Sequence, residues 1–474
     1  MKRLFTNLAC TGLLAALVLT AAGTSAQTYA FNEPVGKKAA KADSGSTVTT
    51  AYTATPKAQD DTAWHPQRRL WGYTFGDFYY DAHADAGNRG PEGMYNSVPT
   101  YRNAFQFRRL YLGYDYEITR KFKAEVLLAS EPNANTGVNG STSIQNGDNL
   151  VDNKMAFWVK NFNLRVRDIW TGTDFVIGEM STPSFALNEP GTNGPVSLSE
   201  STWAYRSIEK TITDFHKNNS YDVGAALQGT FDPATKNFGY VLMVGNNSQA
   251  SLLGAANPNT GFFKIFYGDI WGKFANNHLY VDVYADYLKT ANNSTINNTI
   301  LSPATLAVGP QEHNMFKIFV SYLSKPINIG VEAYTQNINN AVVNTGPAIA
   351  TTAAPSTVAA VENATVNGLS IWVRGAIVKN WNYYARFDSY NPDTKFNSAN
   401  EYQIVNTNYS SYTPLAKEQF WTFGLDYNPT KNVHFEPNVW LLDFKDNRNS
   451  ATPGFVAPDH TLVYRFTFFF TFGK

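Results

Sequence analysis

The chain has 474 residues with 38 basic and 38 acidic side chains, so charged residues make up 16% of it, below the quarter or so usual for soluble domains. A net charge of zero excludes a partner bound by neutralising nucleic-acid phosphates, and 43% hydrophobic residues exclude extended disorder. Aromatics reach 15%, from 10 Trp, 27 Tyr and 32 Phe, and they alternate with polar residues instead of gathering in long runs.

Residues 1–26 read as a secretory signal peptide: Lys2 and Arg3, the apolar run from Leu13 to Ala22, then the small residues Gly23-Thr24-Ser25-Ala26. The only cysteine, Cys10, precedes most of that run, which disfavours a lipoprotein and leaves the exported chain without disulfides or cysteine-ligated zinc. Residues 27–69, rich in Ala, Lys, Thr, Ser and Asp with no apolar period, are expected to form a flexible periplasmic segment. Beyond the signal no stretch approaches the roughly 18 consecutive apolar residues of a spanning helix.

From residue 70 to the end the period is two, the period of a strand. The last segment shows it most plainly, with Leu462, Tyr464, Phe466, Phe468, Phe470 and Phe472 on one face and Arg465, Thr467 and Thr471 on the other. Similar segments fall at about 70–82, 103–117, 121–131, 154–167, 173–180, 220–231, 237–247 and 261–275. The second half repeats them at about 278–290, 312–324, 326–338, 368–378, 381–391, 418–428, 431–443 and 461–473. Gaps after even-numbered segments span about 1 to 5 residues and gaps after odd-numbered ones about 13 to 39, the pattern of short periplasmic turns and long extracellular loops. The expected fold is therefore all-β: a 16-stranded antiparallel transmembrane β-barrel over 70–474, in which closure satisfies every strand edge in lipid. Trp271, Trp381, Tyr383, Trp421 and Tyr427, near segment ends, fit interfacial girdles.

If the apolar face meets lipid, the other face lines the interior. It carries Arg109, Lys123, Lys154, Lys160, Arg165, Arg167, Lys264, Lys317, Arg374, Arg386 and Arg465, with Asp115, Glu125, Asp222, Asp282, Asp286, Glu332, Asp388, Asp426 and Glu436. Charges of both signs imply a wet interior, and sixteen strands leave a channel unless something fills it. The basic residues of the second to fourth strands either form a positive wall that favours anions or pair with acids such as Asp115 and Glu125. The longest gap, 181–219, carries Glu189, Glu200, Arg206, Glu209, Lys210, Asp214 and Lys217 among several Pro and Gly; it either folds inward as a constriction loop or stays outside.

Signs of catalysis are sparse. The seven histidines form no His-Glu-x-x-His pair, and no Gly-x-Ser-x-Gly or phosphate-binding Gly loop is present. Asp81-Ala82-His83-Ala84-Asp85-Ala86-Gly87-Asn88 spaces possible cation ligands at every second position but lacks a distant bidentate Glu, so a polar turn is favoured over a metal loop.

The segment Phe107-Arg108-Arg109-Leu110-Tyr111-Leu112-Gly113, with Gly178-Glu179-Met180-Ser181-Thr182-Pro183-Ser184-Phe185 and Tyr205-Arg206-Ser207, resembles the phosphate-selective porin O and P family of bacterial outer-membrane channels over roughly 70–474. That resemblance implies a homotrimer in outer-membrane lipid whose third loop narrows the pore. Periodicity and resemblance together lead to the expectation of an outer-membrane porin for small hydrophilic solutes or ions, acting by passive diffusion with no cofactor, no metal and no catalytic residue. The alternatives are an anion- or phosphate-selective channel and a barrel whose long loops act as adhesin or enzyme.

Overall fold

The computed structural model describes residues 65–89, 95, 98–130, 150–151, 154–155, 157–186, 207, 210–217, 220–246, 264–289, 294–297, 301–302, 304–324, 326–347, 352–404, 416–448, 450 and 455–473. Sixteen long strands dominate: β1 Arg68–His83, β2 Asn103–Glu117, β3 Phe122–Ser130, β4 Trp158–Trp170, β5 Thr173–Ser181, β6 Tyr221–Thr230, β7 Phe238–Gly245 and β8 Ile265–Phe274. The second half contributes β9 Leu279–Lys289, β10 Glu312–Leu323, β11 Ile327–Gly346, β12 Ala360–Val378, β13 Trp381–Asn391, β14 Ala416–Thr430, β15 Val433–Asp446 and β16 Asp459–Phe472. Every strand pairs antiparallel with its chain neighbours, and β1 pairs with β16 from Gly72↔Phe472 to His83↔Leu462, which closes the ring.

Closure divides side chains between an outer and an inner face. On β16 the outer face carries exposed Tyr464, Phe466, Phe470 and Phe472, while Val463, Arg465 and Thr467 are buried inside. The same alternation on β8 exposes Phe266 and Ile270 and buries Ile265, Tyr267, Asp269 and Trp271. An apolar outer face this extensive is unfavourable in water and suits hydrocarbon.

Trp271 thus lies inside and not in an outer girdle, whereas Trp381 and Tyr427 pack together outside at the short-turn end, 4.9 Å between ring centroids. A cross-strand glycine accounts for the inward ring: a Cβ on Gly239 would sit 2.1 Å from the Trp271 indole. The same device recurs at Trp71 opposite Gly113 and at Trp372 opposite Gly330, the way an aromatic ring covers a bare strand position.

β4 starts at Trp158 and not at 154. Among the described residues the β3–β4 pairing runs out at Ala129 opposite Trp158, and Lys154–Met155 pair instead with Leu150–Val151 in a separate ladder. Lys154 is accordingly in the connection, outside the barrel sheet. β11 and β12 instead run past the predicted ends, reaching Gly346 and starting at Ala360. The β11 extension also pairs with Glu401–Ile404, and beside it Ser294–Asn297 and Thr305–Val308 form a hairpin. Val343 and Val308 pack together there. No helix among the described residues is long and apolar enough to cross a membrane; the two short ones, α1 Pro183–Ala186 and α2 Ile212–Lys217, belong to the β5–β6 connection.

Candidate functional site

The barrel interior gathers the polar side chains. On β2 the period breaks once: Phe75 faces Arg109 but Gly76 faces Phe107, a bulge at Arg108. A bulge inserts one residue and re-aims the next, so Arg108 and Arg109 both turn inward, Arg108 over the Tyr95 ring at 5.5 Å and Arg109 donating to the Tyr111 hydroxyl at 2.9 Å. A second bulge on β4, where Leu127 faces Asn161 and Leu128 faces Val159, turns both Lys160 and Asn161 inward. The Lys160 ammonium lies 4.9 to 5.3 Å from the rings of Tyr221, Trp158 and Tyr111, a cation–π setting. Strict alternation misses Arg108; the Arg108-Arg109 doublet in an otherwise alternating strand is the signal that could have revealed it.

Towards the short-turn end the wall of β1–β5 is a chain of alternating signs. Arg69 donates to Asp115 at 2.6 Å, Lys123 stands 3.6 Å from Asp115 and 2.8 Å from Glu125, and Arg165 reaches Glu125 at 3.4 Å and Asp174 at 3.2 Å. Arg167 pairs separately with Glu117 at 2.7 Å. Four basic groups meet four acidic ones, so Lys123, Arg165 and Arg167 do not sum to a positive wall; pairing wins because burial makes an uncompensated charge costly. The basic side chains of this wall outside that chain are Arg108, Arg109 and Lys160, nearer the long-connection end.

The wall of β6–β11 is different. Asp222, Asp269, Asp282, Asp286 and Glu332 are all buried on its inner face, and among the described residues Lys317 is the buried lysine that accompanies them, with Lys273 half-buried over the Trp271 ring nearer the short turns. Tyr267 donates to Asp222 at 2.8 Å and Tyr284 donates to Asp286. Neither oxygen of Asp269 accepts a hydrogen bond from the described residues. The sequence reading missed Asp269 and likewise Asp77, which takes both Arg465 and Gln106.

Described parts of the 181–219 connection lie against the inner wall. Lys317 of β10 donates to the Ser184 carbonyl at 2.6 Å, Arg465 of β16 donates to the Ser207 carbonyl at 2.8 Å, and the Ser207 amide donates to Glu436 of β15 at 2.9 Å. Arg386 of β13 donates to the Lys210 carbonyl and to Asp388, and Thr213 donates to Glu332 of β11. The His216 ring lies flat on Tyr390, 3.6 Å between centroids. The described residues of this connection, bonded to strands from β10 to β16, therefore lie in the interior. Thr211 caps α2 by accepting from the Asp214 amide at 3.0 Å, and the Ser220 hydroxyl donates to Asp214 itself, a buried structural acid. Glu189, Glu200 and Arg206 lie outside the described residues.

Of the remaining sequence-selected groups, Arg374 faces inward on β12, and Asp426 holds His434 at 2.8 Å. Arg465 is fully buried, paired with Asp77 and stacked 4.1 Å from the Trp440 ring.

No protein-family model matches the chain, and no curated protein matches it. Among solved structures, the chain is similar to the outer membrane channel DcaP of Acinetobacter baumannii, with TM-score 0.51 and 10% identity over 86% of this chain and 97% of that one. An anion-selective porin from Comamonas acidovorans aligns with TM-score 0.49 and 10% identity over 86% of this chain and 100% of that one. OprB of Pseudomonas putida aligns with TM-score 0.48 and 10% identity over 86% of this chain and 94% of that one. The likeness to DcaP is one of fold, and it agrees with the strand ladder: this chain is a closed, sixteen-stranded antiparallel barrel of the kind found in outer-membrane channels.

Proposed function

We propose that the chain is an outer-membrane porin through which small hydrophilic solutes or ions diffuse passively. The observation that carries this reading is the division of the strands between an apolar outer face and a charged inner one, in a closed ring of sixteen. The 181–219 connection, whose described residues bond to the inner wall, sets the constriction, and the residues facing it from β2–β4 and β10–β16 line the path. Passage down a gradient needs a path and not a reaction, so no catalytic residue or cofactor is assigned. The signal at residues 1–26 delivers the chain to the periplasm, and a homotrimer is the proposed assembly.

A second reading, an anion-preferring channel related to the phosphate-selective porins, is favoured by one observation: Arg108, Arg109 and Lys160 converge on one side of the interior. Planar-bilayer conductance of the refolded chain separates the two, with reversal potential taken in a salt gradient and again after phosphate is added. Steps of weak selectivity without phosphate block support the general porin. Phosphate block supports the second reading, and absence of conductance sinks both.

A further inference from the structure

At the long-connection rim, where the first and last barrel strands meet, a register shift between Asp81 and His83 sets His83 opposite Leu462, on the same face as His460. The two imidazoles stack, 4.2 Å between centroids and 22° between planes. His83 Nε2 lies 2.8 Å and His460 Nδ1 lies 3.6 Å from the same oxygen, Asp459 Oδ1. One donor atom from each residue fits within a sphere of ligand size, all within 4.8 Å of one another.

An ion pair accounts for His83 and Asp459 alone. It does not call for a second imidazole stacked on the first with its nitrogen turned to the same carboxylate oxygen. A cation accounts for both rings, since imidazole nitrogens and a carboxylate oxygen gathered this closely are the donor set of a metal ion. The carboxylate is already oriented: the Ala86 amide donates to Asp459 Oδ2 at 2.8 Å and the His460 amide to Oδ1 at 2.8 Å, the kind of outer support that metal-binding carboxylates use. The neighbouring Asp85 is not available as a ligand, because Arg89 holds both its oxygens, and that pairing also cancels the arginine's charge.

We propose that His83, His460 and Asp459 form a divalent transition-metal site that clamps the seam between β1 and β16 at the mouth of the barrel. Two imidazole nitrogens and one carboxylate oxygen, with a fourth position open to water, suit zinc at about 2.0–2.2 Å from each ligand. For the metal to lie in both ring planes the rings swing apart about their side-chain bonds, and at 42% and 40% exposure they have room to do so. The site is independent of whether the barrel conducts.

The test is zinc titration of the untagged, refolded full barrel in competition with a chromophoric chelator, with heat-modifiable migration on gels reporting the folded state. One zinc per chain is expected, weakened at least tenfold in His83→Gln, His460→Gln and Asp459→Asn. Zinc is also expected to raise the thermal unfolding temperature of the wild type and not of the variants. Where a variant fails to fold, cobalt on the wild type decides: visible bands of an imidazole-ligated ion, displaced by zinc, support the site. Undiminished zinc binding in the His83→Gln/His460→Gln double variant, calcium bound as tightly as zinc, or no displaceable cobalt spectrum overturns it.

Discussion

The inner wall of β1–β5 and that of β6–β11 are both crowded with buried charge, yet they behave oppositely. In the first, Arg69, Asp115, Lys123, Glu125, Arg165 and Asp174 form a continuous chain of alternating sign. In the second, five buried acids share one buried lysine, Lys317. Basic residues alone make the first wall look positive; after pairing, its field near the short turns vanishes, while the second wall keeps a negative excess. What a solute meets is the residue of charge left after neighbours have paired, and that residue is set by cross-strand register.

Breaking the first wall should have the largest effect. Glu125 is 4% exposed and serves both Lys123 and Arg165, so Glu125→Gln leaves two buried cations short of a partner. The expected loss of stability is about 3–5 kcal/mol, read as the shift of the urea midpoint for barrel unfolding in bilayers. A shift under about 1 kcal/mol would mean that water reaches the network freely.

The two faces themselves were legible in the sequence, because period two needs no tertiary information. Phe466 is 47% exposed on the outer face of β16, with Pro437 and Phe78 opposite it. Phe466→Arg is therefore expected to cost about 2–4 kcal/mol, measured as loss of heat-resistant folded barrel; normal folding would refute the face assignment. Strand limits and interior details were less legible, for physical reasons. A bulge breaks the period without altering composition, which hid Arg108, and Trp271 reads as a girdle residue until its partner Gly239 is known. Lys154 continues the alternation of β4 but pairs with Val151 in a separate ladder and not with β3, a fact held by the register of β3 and not by Lys154. Which inner acids and bases meet depends on register, and one residue of slip exchanges every partner.

On the second wall, relieving charge should do the reverse of what it does on the first. Asp269 and Asp282 are both buried within the acidic group, so Asp269→Asn should raise stability by about 1 kcal/mol or less while moving the reversal potential towards anions. The matching change on the first wall, Arg165→Glu with Arg167→Glu, should move it towards cations. A loss of several kcal/mol in Asp269→Asn would mean that this wall is also a matched network and that the contrast between the two is false.

The smallest effect should come from the edge of the first wall. Arg167 and Glu117 approach to 2.7 Å, as close as the pairs deeper in, but their side chains are 23% and 17% exposed, against 2% for Arg165. The chemistry is the same and the surroundings differ: water at the rim solvates either partner when the other is removed, and salt screens their attraction. Arg167→Gln should therefore cost about 0–1 kcal/mol and lose even that at high salt. Glu125→Gln, whose partners are sealed from water, should keep its full cost at any ionic strength. If Arg167→Gln proves as costly as Glu125→Gln and as indifferent to salt, the rim and the interior of this wall act as one buried unit, and burial is not what separates a structural ion pair from a decorative one here.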